Sequence, residues 1–211
     1  MTARLQVAKD KGQSAVDQRT ARLLQDFLGS AHIFASAMQQ VLETKLLREV
    51  AGSRLSSTQL KLLKLIAAKG RQTVGGVAAF LGVSQPAASQ AVDRLVRGKW
   101  LRRAAGEADR RSIRLSLTPA GRRLLADYDS ARMRKLLKVI DGLSPARLRA
   151  TAALLDCVAA RIVNHTANPE EVCLQCGIYF RERCLLREST GRQCFYQRHW
   201  KRMQKPPPVV T

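Results

Sequence analysis

Residues 73–101 read "TVGGVAAFLGVSQPAASQAVDRLVRGKWL". Val74, Val77, Ala78 and Leu81 form a short apolar stripe at helical period, and Gly82 breaks it. Ser84 stands where an N-cap belongs, so a second helix is predicted to run to Arg97 with Ala88, Ala91, Val92 and Leu95 facing inward. Pro86 is tolerated because the first turn of a helix needs no backbone donor. Two short helices joined by a turn containing glycine make a helix-turn-helix pattern. The small side chains of Ala78, Ala88 and Ala91 let the pair approach closely.

Upstream, apolar residues recur from about Gln18 to Arg48 at Leu23, Leu24, Phe27, Leu28, Phe34, Met38, Val41, Leu42 and Leu46. That is helical period with one wet face, over a length greater than a small core needs. Part of this helix is expected to pack on a second subunit. Gly52 ends the segment, and Ser57 or Thr58 is the expected cap of a helix that buries Leu60, Leu63, Leu65 and Ile66 before Gly70. Downstream, "LRRAAGEADRRSIRLSL" (101–117) offers two short runs around a charged tip, the second alternating at Ile113, Leu115 and Leu117. Thr118-Pro119 then starts a helix carried by Leu124, Leu125, Tyr128, Leu136, Leu137 and Ile140 to Gly142. Ser144-Pro145 starts another, with Leu148, Ala152, Leu155, Val158 and Ile162 on one face, ending near Asn164.

Charge limits the class of partner. The 211 residues carry a formal net charge of +21 at pH 7. Residues 54–118 hold 13 Lys/Arg against 3 Asp/Glu, whereas residues 1–53 hold 7 against 5. A basic stripe within a folded region points to a polyanion, with nucleic acid first. No run of 18 apolar residues occurs, so no membrane span or membrane partner is expected. The N-terminus "MTARLQVAKDKGQ" lacks the apolar stretch of a secretory signal, so a cytoplasmic location is expected. No His/Asp/Ser constellation, phosphate-cradling glycine loop or paired-carboxylate pattern stands out, so the chain does not read as an enzyme.

The segments "LSSTQLKLLKLI", "VAAFLGVSQPAASQAVDRLVRGKWLRR" and "EADRRSIRLSLTPAGRRLL", in this order, resemble the MarR family of winged-helix transcriptional regulators. The last is similar to the family's wing signature, an Asp-Arg-Arg tip before an alternating strand and a Leu-Thr-x-x-Gly helix start. The likeness covers about residues 18–165. It implies a mainly α fold with a small β-hairpin wing, a homodimer with interlocked N- and C-terminal helices, and an inverted repeat in double-stranded DNA as partner.

The physics of the motif agrees. The second helix of a helix-turn-helix lies in the major groove, and its outward residues after Ser84 are Gln85, Pro86, Ala87, Ser89, Gln90 and Arg94. Glutamine can pair with adenine, and serine can bond several base edges. At the wing tip, Arg110 and Arg111 suit a narrow minor groove, with Asp109 orienting one of them. The expected organisation is a basic arm (1–17), an N-terminal dimerisation helix (18–56), the winged domain (57–118), C-terminal dimerisation helices (119–165), a cysteine-rich segment (166–200) and a tail (201–211).

The cysteine-rich segment lies outside the usual family pattern. "CLQCGIYFRERCLLRESTGRQC" (173–194) holds four of the five cysteines. Asn168-Pro169-Glu170-Glu171 reads as a helix start, and Gly177 and Gly191 permit turns. In a reducing compartment, clustered Cys173, Cys176, Cys184 and Cys194 point to one metal centre rather than disulfides. Zinc usually takes two Cys-x-x-Cys knuckles, and only one is present. The long uneven gaps favour an iron–sulfur cluster, of the 4Fe–4S type, over zinc. Ile178, Tyr179, Phe180, Leu185, Leu186, Phe195 and Tyr196 would shield it, and Arg181, Arg183, Arg187 and Arg192 would offset thiolate charge. Cys157 reads as a small buried hydrophobe. Two functions follow: a dimeric DNA-binding regulator responsive to redox state or metal, or a metal-cluster redox or protein-interaction module on a winged-helix scaffold.

Overall fold

The computed structural model describes residues 17–70, 72–105, 113–178, 184–195 and 197. Two compact units divide the chain, Met1–Val41 and Leu42–Thr211. In the first, α1 spans Gln18–Ala37, and the Asp17 carboxylate caps it by accepting from the Arg19 and Thr20 amides at 2.9 Å. Among its apolar residues, Leu23, Leu28 and Ile33 are more than 60 % exposed in the single chain. A π-helical segment, Met38–Lys45, follows.

In the second unit the order is α2 (Leu46–Ala51), α3 (Ser57–Lys69), α4 (Val74–Leu81), α5 (Gln85–Arg97), β1 (Leu101–Ala105), β2 (Ile113–Leu117), α6 (Pro119–Val139), α7 (Pro145–Asn164) and α8 (Leu185–Thr190). The fold is therefore the expected one: mostly helical, with a small antiparallel hairpin. The α3 cap is Ser56 rather than Ser57 or Thr58. Only from Ser56 can Gln59, at the third helical position, reciprocate: the Gln59 amide donates to Ser56 Oγ, and Gln59 Oε1 accepts from the Ser56 amide at 2.8 Å. Thr73 and Ser84 cap α4 and α5, and Gly82 closes α4 in the left-handed region at φ +66°.

The core gathers Leu62, Leu63 and Leu65 of α3, Val77 and Phe80 of α4, Val92 and Leu95 of α5, and Leu101 and Leu115 of the hairpin. Leu101 faces Leu117, and Arg103 faces Leu115, across the two strands. Gln72 extends this sheet by exchanging backbone hydrogen bonds with Leu115 at 2.7 and 3.2 Å. Thr118 ties α6 to the turn before β1, donating to the Lys99 carbonyl at 2.6 Å while its Oγ1 caps the Gly121 amide.

The packing of α6 on α2 and α3 carries buried charge. Tyr128 is buried and donates to the Leu42 carbonyl at 3.0 Å. Lys64 Nζ bonds Asp129 Oδ1 at 2.8 Å and lies 5.2 Å from the Tyr128 ring centre, which also has Arg132 within 5.7 Å. Burial holds the Lys64 ammonium below its usual value, offset in part by Asp129. Asp129→Asn is expected to cost about 2 kcal/mol at neutral pH by weakening a charged hydrogen bond. Because burial favours neutral Lys64, that deficit relative to the wild type narrows as pH rises toward 10.5. Paired urea melts across the alkaline range check this; a pH-independent deficit would contradict it.

α7 departs from the expected pattern. Leu155 and Ile162 of the anticipated inward face remain exposed in the single chain, whereas Ala160 and Val163 bury against Leu186 of α8. Cys157 is exposed, not a core residue, because it lines an open groove between α7 and α8, shared with Ala160, Ser189 and Thr190, beside that small cluster rather than within it. Residues 168–171 form only a 3-10 turn, Pro169–Glu171, with no side-chain cap from Asn168. Among the described residues, no helix is long and apolar enough to cross a membrane.

Candidate nucleic-acid interface and thiol cavity

α5 separates its two sides cleanly. Ala88, Val92 and Leu95 are fully buried, while Ser84, Gln85, Pro86, Ala87, Gln90 and Arg94 are exposed and Ser89 is half-buried. The inner face is thus locked by packing, and the outer face presents amides and a guanidinium on a rigid element. Arg103 of β1 reaches back to Asp93 of α5 at 2.6 Å, and Arg102 donates to Ser116 Oγ at 2.9 Å. Asp109, Arg110 and Arg111 of the wing tip lie outside the described residues.

Beside this face runs an open groove lined by Arg48, Arg54 and Arg94 together with Thr44, Ser56, Ser57 and Gln59. Reading the sequence missed it, because Arg48, Arg54 and Arg94 come from three separate segments. Lys64, conversely, looks in sequence like a solvated or phosphate-facing charge, but it is buried against Asp129.

The four clustered thiols meet. Cys173, Cys176, Cys184 and Cys194 all line one cavity of about 60 Å³, closed by Phe80, Ile178, Leu186 and Phe195. Residues 172–175 are irregular, Gln175 is left-handed at φ +55°, and a 3-10 turn covers Cys176–Ile178, so the Cys-x-x-Cys pair sits on a knuckle rather than a helix face. Burial pushes the Cys173 thiol up to about 11, the Gln175 backbone opposes this, and the proximity of the Cys194, Cys176 and Cys184 thiols adds to it. Arg192 also lines the cavity. Its Nε lies 3.5 Å from Glu170, and its buried Nη1 has no hydrogen-bond partner among the described residues. Among the described residues, no group of three His, Cys, Asp or Glu is gathered closely enough to hold a metal ion as it stands. The thiols ring a space instead of converging on a point. Of the anticipated shielding residues, Ile178, Leu186 and Phe195 line the cavity and Leu185 is buried without lining it, whereas Tyr179, Phe180 and Tyr196 lie outside the described residues.

The cavity's position was not legible in the sequence, which placed the box beyond the dimerisation helices. Leu65 and Ala68 of α3 and Phe80 of α4 form its wall. Gln175 Nε2 donates to the Phe80 carbonyl at 3.2 Å, and Ile178 is buried in the main core.

Helix pair, turn and hairpin, with one helix face free, define a winged helix-turn-helix protein. Residues 55–112 match the model of the MarR family. A curated relative, described as an uncharacterized HTH-type transcriptional regulator, YpoP of Bacillus subtilis, is 28% identical over 102 residues, covering 48% of this chain and 72% of its own. Two solved structures share the fold. RV1404 from Mycobacterium tuberculosis superposes with a TM-score of 0.57 at 20% identity, over 72% of this chain and 97% of that one. A MarR family protein from Bacillus stearothermophilus gives 0.55 at 21%, over 70% and 99%. Together these findings show the winged-helix fold and, over residues 55–112, a similarity to the MarR family.

Proposed function

We infer that the chain acts as a homodimer that reads an inverted repeat in duplex DNA, with binding conditioned by a metal centre in the thiol cavity. The observation that carries the DNA reading is the α5 face: Gln85, Gln90 and Arg94 stand free while Ala88, Val92 and Leu95 hold the helix rigid. Base edges supply sequence choice, and the Arg48, Arg54 and Arg94 groove supplies phosphate contacts that position the helix. Apolar residues exposed on α1, such as Leu28, and separately on α6 and α7, such as Leu137 and Ile162, are each available to a second copy.

Arg54→Ala is expected to weaken binding to every duplex alike and to reduce the salt slope by about 0.9. Titration of matched and scrambled duplexes over a salt series tests this. A slope unchanged from wild type would remove Arg54 from the DNA contact. Competitor-resistant binding of one dimer to a palindromic duplex is the expected overall result. A stable monomer by light scattering, or no preference among duplexes, would overturn the reading.

The donor set of the cavity fits a thiolate-bound metal. Four thiols share the space, and half-buried Arg192, whose buried Nη1 has no hydrogen-bond partner among the described residues, offers a donor to negative charge there. The single Cys-x-x-Cys knuckle and the uneven gaps to Cys184 and Cys194 favour an iron–sulfur cluster over a single zinc ion. Such a cluster would supply an electron-transfer couple, whereas zinc would supply only a crosslink. Anaerobic purification followed by iron, sulfide and zinc analysis separates the two.

A further inference from the structure

Two separate cores meet at the thiol cavity. Cys173 and Cys194 pack against the main core, the one that contains Phe80 of α4 and Val92 and Leu95 of the outward-facing helix α5. Cys184 packs against the small cluster formed by Ala160 and Val163 of α7 with Leu186 of α8. The knuckle is also tied to α4, through the Gln175–Phe80 hydrogen bond, and inserts Ile178 into the main core. A ligand held by all four thiols would therefore span from the helix-turn-helix to α7.

We propose that the cysteine segment is a clamp between the reading head and α7, closed when Cys173, Cys176, Cys184 and Cys194 bind one metal centre, and that Gln175 passes its state to α4. This rests on the metal reading given above. The route runs straight into the helix-turn-helix, because Phe80 is one residue from the end of α4 and the turn to α5 begins at Gly82. As the cavity stands, the thiols surround a space without converging. Drawing them onto one centre moves Cys184, with α8 and the end of α7, relative to Cys173 and Cys194. For a Zn2+ probe, four sulfur–metal bonds form as the thiols' S–H bonds break, and the protons pass to solvent.

The 211-residue protein, purified without oxygen and stripped of metal, is titrated with Zn2+ alone and, separately, with an equimolar mixture of Fe2+ and Fe3+ together with sulfide. Hydrogen exchange is followed in α4, α7 and α8, and operator affinity is measured before and after loading. One centre per chain is expected, with amide exchange in α4 and at the C-terminal end of α7 slowed together at least tenfold, and an operator affinity changed several-fold. Gln175→Asn keeps the left-handed backbone accessible but shortens the side chain by one methylene, out of reach of Phe80. This variant is expected to load fully, to protect α7 and α8, and to lose the change in α4 and in operator affinity. Absence of loading by either probe would overturn both the metal reading and the clamp. Full loading with unchanged exchange in α4 and α7 would overturn the clamp alone and leave the centre as a local staple. Undiminished coupling in loaded Gln175→Asn would reject the route through Phe80.

Discussion

Gly121→Ala is expected to destabilise the winged domain by about 3 kcal/mol and to lower the melting temperature by roughly 10 °C. Gly121 lies in the first turn of α6, where alanine would ordinarily be favoured over glycine by about 1 kcal/mol. Here a Cβ would collide with the Trp100 carbonyl oxygen, well inside the 3.0 Å that real Cβ atoms keep, and would press on Leu117 Cδ2 at 3.2 Å. The colliding atom is backbone, held by the Thr118 amide at 3.0 Å, so it cannot swing aside as a side chain would. Relief requires α6 to lift from the turn before β1. That would loosen the Thr118 cap and the base of the wing together, so operator binding should weaken along with stability. Calorimetry and duplex titration of the variant check both effects. A melting temperature equal to or above wild type would show that the α6 start is not clamped on Trp100.

Gln90→Ala is expected to change sequence choice rather than overall affinity. A side-chain amide that pairs with one base contributes about 2 kcal/mol of discrimination, roughly thirtyfold, at that position. Gln90 is exposed on α5, one residue before half-buried Ala91, so removing its side chain leaves the packed face intact. The variant should therefore fold normally, bind non-specific duplex as wild type does, and accept substitutions at one position of each half-site. Binding selections from randomised duplexes would reveal the position. Unaltered discrimination at all positions would exclude Gln90 from base readout, and a uniform loss would reassign it to the backbone.

Much of the fold was legible because it is local. Caps act over about three residues, and the caps at Ser84, Thr118 and Ser144 occur where serine or threonine precedes an apolar period. The apolar positions of α5 repeat every turn, which separates Ala88, Val92 and Leu95 from Gln85, Gln90 and Arg94 without reference to any partner. The cysteine spacing likewise indicated that the four thiols share a neighbourhood, and they line one cavity. The misread positions are those where burial depends on a neighbour. Cys157 and the Leu155–Ile162 face of α7 follow helical period, but they stay exposed in the single chain.

The amino-acid sequence by itself determined the helix-turn-helix, the hairpin, the order of elements, the outward face of α5 and the grouping of the four cysteines. Tertiary structure decided what those parts touch. Gln175 meets Phe80 across 95 residues, and Lys64 meets Asp129 across 65. Gly121 owes its place to the carbonyl of Trp100, and the Arg48, Arg54 and Arg94 groove exists only once three segments converge. Periodicity reports which side of an element is apolar, but not which distant element will cover it. That choice is made by packing among surfaces far apart in the chain, and it set the thiol cavity against α3 and α4 of the reading head.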